Sequence, residues 1–196
     1  MSPRPRKASD DEVFAATHRA MMRLTPAQLS LAEIASEAGL TAGALVQRFG
    51  SKRALLLALM ERFSGATPAM FDEMRRAHRS PLAALRAYGD AMARLGESPA
   101  MLAHHLSYLQ VDFTDPDMHR YARAQAEAAQ ASLRAIAAEA VAAGELRADT
   151  DPAALARLVQ VVVGGSLLAW GFFQEGSAAD WTRSDLNVAL QPYLAG

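Results

Sequence analysis

A chain of 196 residues, 51% of them hydrophobic, with a formal net charge of −1, is long enough to bury a core and too apolar to be disordered by composition. It has no Cys, which excludes disulfides and thiolate metal sites, and no uninterrupted apolar run reaches the roughly 18 residues of a membrane span. The charge is uneven: residues 1–53 carry eight Lys and Arg against five Asp and Glu, the rest twelve against sixteen, so a basic head precedes an acidic body, as expected where only the head meets a polyanion.

The opening "MSPRPRKASDDE" is basic but lacks the apolar centre of a signal peptide, so residues 1–8 are expected to be a flexible basic arm and the location cytoplasmic. Beyond it, apolar residues recur at three and four rather than at two, which predicts an all-α fold of about nine helices. A capping box, Ser9 with Glu12, opens the first helix, whose inward stripe is Val13, Phe14, Thr17, Ala20, Met21 and Leu24. Ser30 with Glu33 opens the second, with Leu31, Ile34, Ala35 and Ala38 facing inward and Gly39 allowing the positive-φ turn that ends it. Thr41 caps a third helix in which Leu45 and Phe49 face inward, Gly50 stops it, and Ser51 caps a fourth, "SKRALLLALMERF". Further on, Thr67-Pro68, Ser80-Pro81, Ser98-Pro99, Asp115-Pro116 and Asp151-Pro152 each pair a capping side chain with the residue best suited to the first helical position, and so mark helix starts.

Two short helices joined by a tight turn at a Gly make a helix-turn-helix, whose second helix can enter the major groove of DNA. With Leu45 and Phe49 inward, Ala42, Gly43, Val46, Gln47 and Arg48 point elsewhere. Gln47 suits adenine, Arg48 guanine or a phosphate, and Val46 a thymine methyl. Lys52, at the start of the fourth helix, suits a phosphate already favoured by free N–H groups and the helix dipole. An ordinary helical hairpin is the competing reading of the same residues.

The segment "LAEIASEAGLTAGALVQRFGSKRALLLALMERF" resembles the N-terminal domain of the TetR family of bacterial transcriptional regulators. "IASEAGL", the "T-x-G-x-L" opening of the third helix, Phe49 and "F-G-S-K" carry the likeness; Val141 to Trp170 resembles the family's later helices more weakly. The resemblance implies a DNA-binding domain over 9–54, with the helix-turn-helix at 30–49, and an effector-binding and dimerisation domain over 55–196. Thr41, Gly43 and Lys52 match the family pattern. Val46, where many members have Tyr, Ala44, where many have a hydroxyl residue, and Arg48, where many have a second aromatic, depart from it, so the family's Tyr and Thr phosphate contacts do not carry over.

The family likeness also implies a homodimer on a palindromic double-stranded operator, most simply a repressor released by a small, largely apolar effector. Six of the nine Met lie between 60 and 118 with several aromatics, a composition suited to an adaptable apolar pocket. Phe63, Met101, His104, Tyr108 and Trp170 are the candidate lining, with core packing as the alternative for each. For the dimer, "DPAALARLVQVVVGGSLLAWGFFQEG" offers Leu158, Val162, Gly164 and Gly165, the glycines permitting close approach of another helix or else marking a kink, and the last helix offers Leu186, Leu190 and Leu194. No cofactor, metal or catalytic residue is expected: His104, His105, Asp112, Asp115, Asp117 and His119 read as an acidic loop in which Asp115 caps a helix. Two other classes stay open, a helical ligand-binding or adaptor protein that has lost DNA recognition and, more distantly, an all-α enzyme.

Overall fold

The structure, a computed structural model, describes residues 8–196. The basic arm expected over 1–8 lies, Ala8 apart, outside the described residues. Among these, nine α-helices run in the order α1 Asp10–Met21, α2 Leu31–Ala38, α3 Ala42–Phe49, α4 Lys52–Ala77, α5 Pro81–Ala93, α6 Pro99–Thr114, α7 Pro116–Ala142, α8 Pro152–Phe173 and α9 Ala178–Leu190. The all-α expectation holds. Short 3₁₀ turns follow α5 (Arg94–Gly96) and α9 (Gln191–Tyr193).

Local chemistry sets most boundaries. At α1 the capping box is complete: Ser9 Oγ accepts from Glu12 N–H, and Ser9 N–H donates to Glu12 Oε2 at 2.7 Å. Gly39 ends α2 at φ 66°, a left-handed conformation that a side chain would strain. Ser80, Ser98, Asp115 and Asp151 each accept a backbone N–H from the first turn of the helix that Pro opens beside them. Thr67-Pro68 corrects the pattern: α4 runs unbroken from Lys52 to Ala77 with Pro68 inside it, and Thr67 is no cap. Its buried hydroxyl donates back along the helix to Phe63 O at 3.0 Å. A Pro in a helix interior costs about 3 kcal/mol, and packing offsets it, since Phe71, one turn on, is buried in a core with Leu85, Leu133, Ile136 and Leu155.

The helices divide into two compact units. One comprises residues up to Arg62 together with His104–Tyr121. Its core is Val13, Ala20, Leu29, Ile34, Ala35, Leu45 and Leu55, with Phe14, Phe49 and Tyr108 packed around them. The other comprises Phe63–Ala103 and Ala122–Gly196. There Phe71 stacks on Tyr88 at 5.7 Å, burial pushes the Tyr88 hydroxyl above its ordinary pKa, and α9 lies along α8 and α5 with Leu186 and Leu190 in the core.

Candidate nucleic-acid interface

The head is built around Leu45, the fully buried residue of α3. A helix anchored at position 45 turns 43, 46 and 47 outward by its 3.6-residue period. Accordingly Thr41, Gly43, Val46, Gln47 and Arg48 are exposed, and Val46 presents 49% of its surface. Thr41 Oγ1 accepts from Ala44 N–H at 3.2 Å, capping α3. Ala42 sits differently from its expected role: it is half-buried and packs against the head core, because it lies three residues before Leu45 on the inward side. The outward face of α3 is thus small and uncharged at 43 and 46, with the Gln47 amide beside it.

The cations around this face are engaged within the chain, which the sequence did not reveal. Arg48 turns back to α1, where it pairs with Asp10, donates to Ala8 O and lies 5.5 Å from the Phe49 ring centroid. Lys52 Nζ donates to Pro26 O at 3.0 Å and Leu29 O at 2.8 Å, so its ammonium caps the α1–α2 loop instead of standing free at the start of α4. Arg19 and Arg23 share Glu37, tying α1 to α2, and together they hold its carboxyl below the ordinary range. Arg53 grips Asp115 at 2.9 Å and Asp117 at 2.7 Å, and its guanidinium lowers the pKa of Asp115. Arg62 pairs with Asp11 at 3.1 Å. Each Lys and Arg from 8 to 62 therefore has an intramolecular partner: the arginines hold solvent-accessible ion pairs, worth only about 0–1 kcal/mol each and readily exchanged, whereas part-buried Lys52 is held by two backbone carbonyls.

The five residues expected to line an effector pocket fall in different units: His104 and Tyr108 in the first, Phe63, Met101 and Trp170 in the second. Trp170 is packed as core: it is 4% exposed, its indole N–H donates to Gly176 O at 3.3 Å, and a Cβ on Gly96 would lie 3.3 Å from its ring. Phe63 is 37% exposed on α4. Met101 is half-buried in the first turn of α6, its N–H bonded to Ser98 Oγ. The polar atoms of His104 and Tyr108 are committed: His104 Nδ1 lies 3.2 Å from Met22 O, and Tyr108 donates its hydroxyl proton to Leu24 O at 2.8 Å.

The dimer candidates separate as well. Leu186 and Leu190 are 1% and 0% exposed, packed within the core of their own chain. Leu158, Val162 and Leu194 are half-buried against the same core, and Leu194 forms an antiparallel bridge with Leu146. Gly164 and Gly165 are exposed, and nothing in the chain lies within 4 Å of a Cβ built on either. The residues that share their face were missed: Val161, Leu168 and Phe172 on α8, 66%, 48% and 80% exposed, and Val188 on α9, 73% exposed. The signal was present in the sequence, because α8 has no charged residue after Arg157 and so keeps a second apolar face after the core has taken one.

A three-helix head with a short, outward-facing, nearly uncharged second helix of a helix-turn-helix defines a DNA-binding transcriptional regulator. The family model for bacterial regulatory proteins of the tetR family matches residues 14–59, and that for a tetracyclin repressor-like C-terminal domain matches 107–186. The chain belongs to the TetR family. No curated protein matches it in sequence. Among solved structures it is similar in fold to a TetR regulator from Haloarcula marismortui (18% identity, 94% of this chain and 97% of that one, TM-score 0.76). It is similar also to reduced NemR from E. coli (16%, 95% and 98%, 0.77) and to FadR from Bacillus subtilis in complex with stearoyl-CoA (15%, 92% and 97%, 0.70).

Proposed function

We propose that the protein is a homodimeric repressor that reads a palindromic operator through α3 and is released by a small, largely apolar effector. The observation that carries DNA reading is the outward face of α3, where exposed Gly43, Val46 and Gln47 leave room for a close approach to base edges. Gln47 reads adenine in this proposal, Val46 a thymine methyl, and Thr41 and the α3 N-terminus lie against the backbone. Arg48 joins a base or phosphate by leaving Asp10. Lys52 acts indirectly, by fixing the loop before α2.

The second copy docks on α8 and α9. Val161, Gly164, Gly165, Leu168 and Phe172 fall at the spacing of one helix face. Beside them runs a groove of about 390 Å³ lined by Val162, Gly165, Ser166, Ala169, Asp185 and Val188. Projecting side chains next to a bare glycine pair make the surface self-complementary, as a two-fold interface requires. The helix α8 is also long and apolar enough to cross a membrane by composition; its inner face, with Leu155, Val159, Val163 and Leu167, is buried in protein, which supports a core and interface role.

The effector acts on α6, a sixteen-residue helix in which Leu102 is the one residue buried in full. Its apolar character is supported by the half-buried Met101, Leu106 and Leu109, and a fold of this kind holds stearoyl-CoA in the B. subtilis FadR structure. Release requires that the ligand bind the DNA-incompetent state more tightly.

Selection of bound sequences from a random duplex library tests the proposal. A palindromic consensus with half-sites roughly 34–36 Å apart is expected. Absence of enrichment would end it in favour of a ligand-binding protein that has lost sequence reading, a reading to which the intramolecular pairing of the head cations lends support.

A further inference from the structure

The second unit is acidic, with ten Arg against twelve Asp and Glu, yet three of those arginines, Arg75, Arg76 and Arg79, fall within five residues. A cation in the last turn of a helix is favoured by the helix dipole, which accounts for Arg75 and Arg76 at the end of α4. It does not account for Arg79, which lies beyond Ala77, the last residue of that helix. All three line one open cavity of about 460 Å³, together with Asp72, Ser80 and Glu139. Small-molecule sites have volumes of about 300–1,000 Å³.

The three guanidinium groups are not equally engaged. Arg75 is held rigidly: two of its N–H groups donate to Glu139 and a third to Asp72 at 3.1 Å, so both carboxylates of the wall are turned onto it. Two of its five N–H donors are left over. Arg76 reaches only Glu73, at 3.8 Å, with the two side chains 72% and 81% exposed, a contact worth about 0–1 kcal/mol. Arg79 is exposed and pairs with none of the described residues. Ser80 Oγ accepts the Ala83 N–H at 3.3 Å, which leaves its own proton to donate. The N-terminus of α5 adds no donor, because Pro81 has no N–H, Leu82 N–H donates to Glu145 Oε2 at 2.8 Å and Ala83 N–H is the one taken by Ser80.

We propose that this cavity binds the phosphate group of a small phosphomonoester, with Arg76 and Arg79 as its principal ligands and Arg75 and Ser80 completing the set. Two guanidinium groups without a strong partner match a dianion, and their planar forks suit its terminal oxygens. A carboxylate has half that charge. The volume exceeds that of one phosphate and leaves room for an organic body. A concave site excludes the convex backbone of a duplex, whose phosphodiesters are singly charged. The proposal stands whether or not the protein reads DNA.

Isothermal titration calorimetry on the full-length protein tests it, with inorganic phosphate, adenosine monophosphate and glucose phosphate as ligands and adenosine as the uncharged comparison. The expected result is saturable binding of one phosphate-bearing molecule per chain, tighter for at least one ester than for inorganic phosphate, and none of adenosine. Arg76→Gln and Arg79→Gln should each weaken binding about 10- to 100-fold, the range for a lost charge-assisted hydrogen bond. Arg134→Gln removes the same charge from an exposed position of α7 outside the cavity and should change nothing. Melting temperatures establish that each variant is folded. Absence of saturable binding would overturn the inference, as would equal weakening by Arg134→Gln or binding of adenosine as tight as that of its phosphate. Esters that bind no better than inorganic phosphate would overturn the assignment to a phosphomonoester. Affinity for duplex DNA that falls in Arg79→Gln but not in Arg134→Gln would assign the cluster to nucleic acid instead.

Discussion

Replacing Asp10 by Asn should turn Arg48 from an internal partner of α1 into a DNA contact. In the structure the Arg48 guanidinium pairs with the Asp10 carboxylate and donates to Ala8 O, with the Arg48 side chain 29% and the Asp10 side chain 58% exposed. A pair this open contributes about 0–1 kcal/mol, comparable with what a phosphate offers the same guanidinium, so the acid and the phosphate compete nearly evenly. Removing the acid's charge should tighten binding to a non-operator duplex by up to about 5-fold at low salt. One additional phosphate contact makes the slope of log K against log salt steeper by about 0.9, which amounts to an extra loss of roughly 3.5-fold between 50 and 200 mM. Fluorescence anisotropy with a labelled random-sequence duplex across that salt range reads both effects. Adding Arg48→Ala to the Asp10→Asn protein should return the slope to the wild-type value. A slope unchanged by Asp10→Asn, in a protein whose melting temperature shows the head still folded, would refute the idea that internal carboxylates hold the DNA-facing cations in check.

Gln47→Ala should relax base preference at one position of each half-site by about 1–3 kcal/mol while leaving non-operator binding unaltered, read by repeating the sequence selection. Phe172→Glu places a carboxylate on the exposed face of α8 and should shift the protein to monomer in sedimentation equilibrium, whereas Leu186→Ala, in the core, should lower the melting temperature through a loss of about 2–5 kcal/mol. His18 and His105 titrate below their ordinary value of 6.5, His18 because of burial and His105 because of burial and then the charge of His18. The unfolded chain therefore takes up protons first as the pH drops, so stability should be complete above about 6.5 and decline below it toward the folded-state values. Melting temperatures between pH 8 and 5 should show that decline, and His105→Gln should flatten it.

The parts of the fold that were legible in the sequence are those decided within one turn of helix. Ser9 with Glu12, Gly39 and Thr41 fix their boundaries through bonds spanning three or four residues, and the chain writes such bonds out in order. Partners chosen in three dimensions were not legible. The Arg48–Asp10 and Arg53–Asp115 pairs join residues far apart in the chain, and spacing contains no trace of them. Pro68 was misread because its local preference for a helix start is overruled by the packing of Phe71, which a dipeptide does not encode. Leu186 and Leu190 show the same limit: their spacing marks an apolar face on α9, but periodicity does not say whether a face meets its own chain or another.

Pro68 has a mechanical consequence. It lies about two thirds of the way along the 26-residue helix α4 and has no N–H to give to the preceding turn. A rod missing one rung is not uniformly stiff: bending strain concentrates where the rung is absent, and the segments to either side turn about that point with less energy than an intact helix would demand. Lys52 and Arg53 lie at one end of this rod and Arg75, paired with Glu139, at the other. The compliance of α4 is therefore a property of a single imino acid, and Pro68→Ala would give a stiffer, more stable shaft at the expense of whatever motion the joint permits.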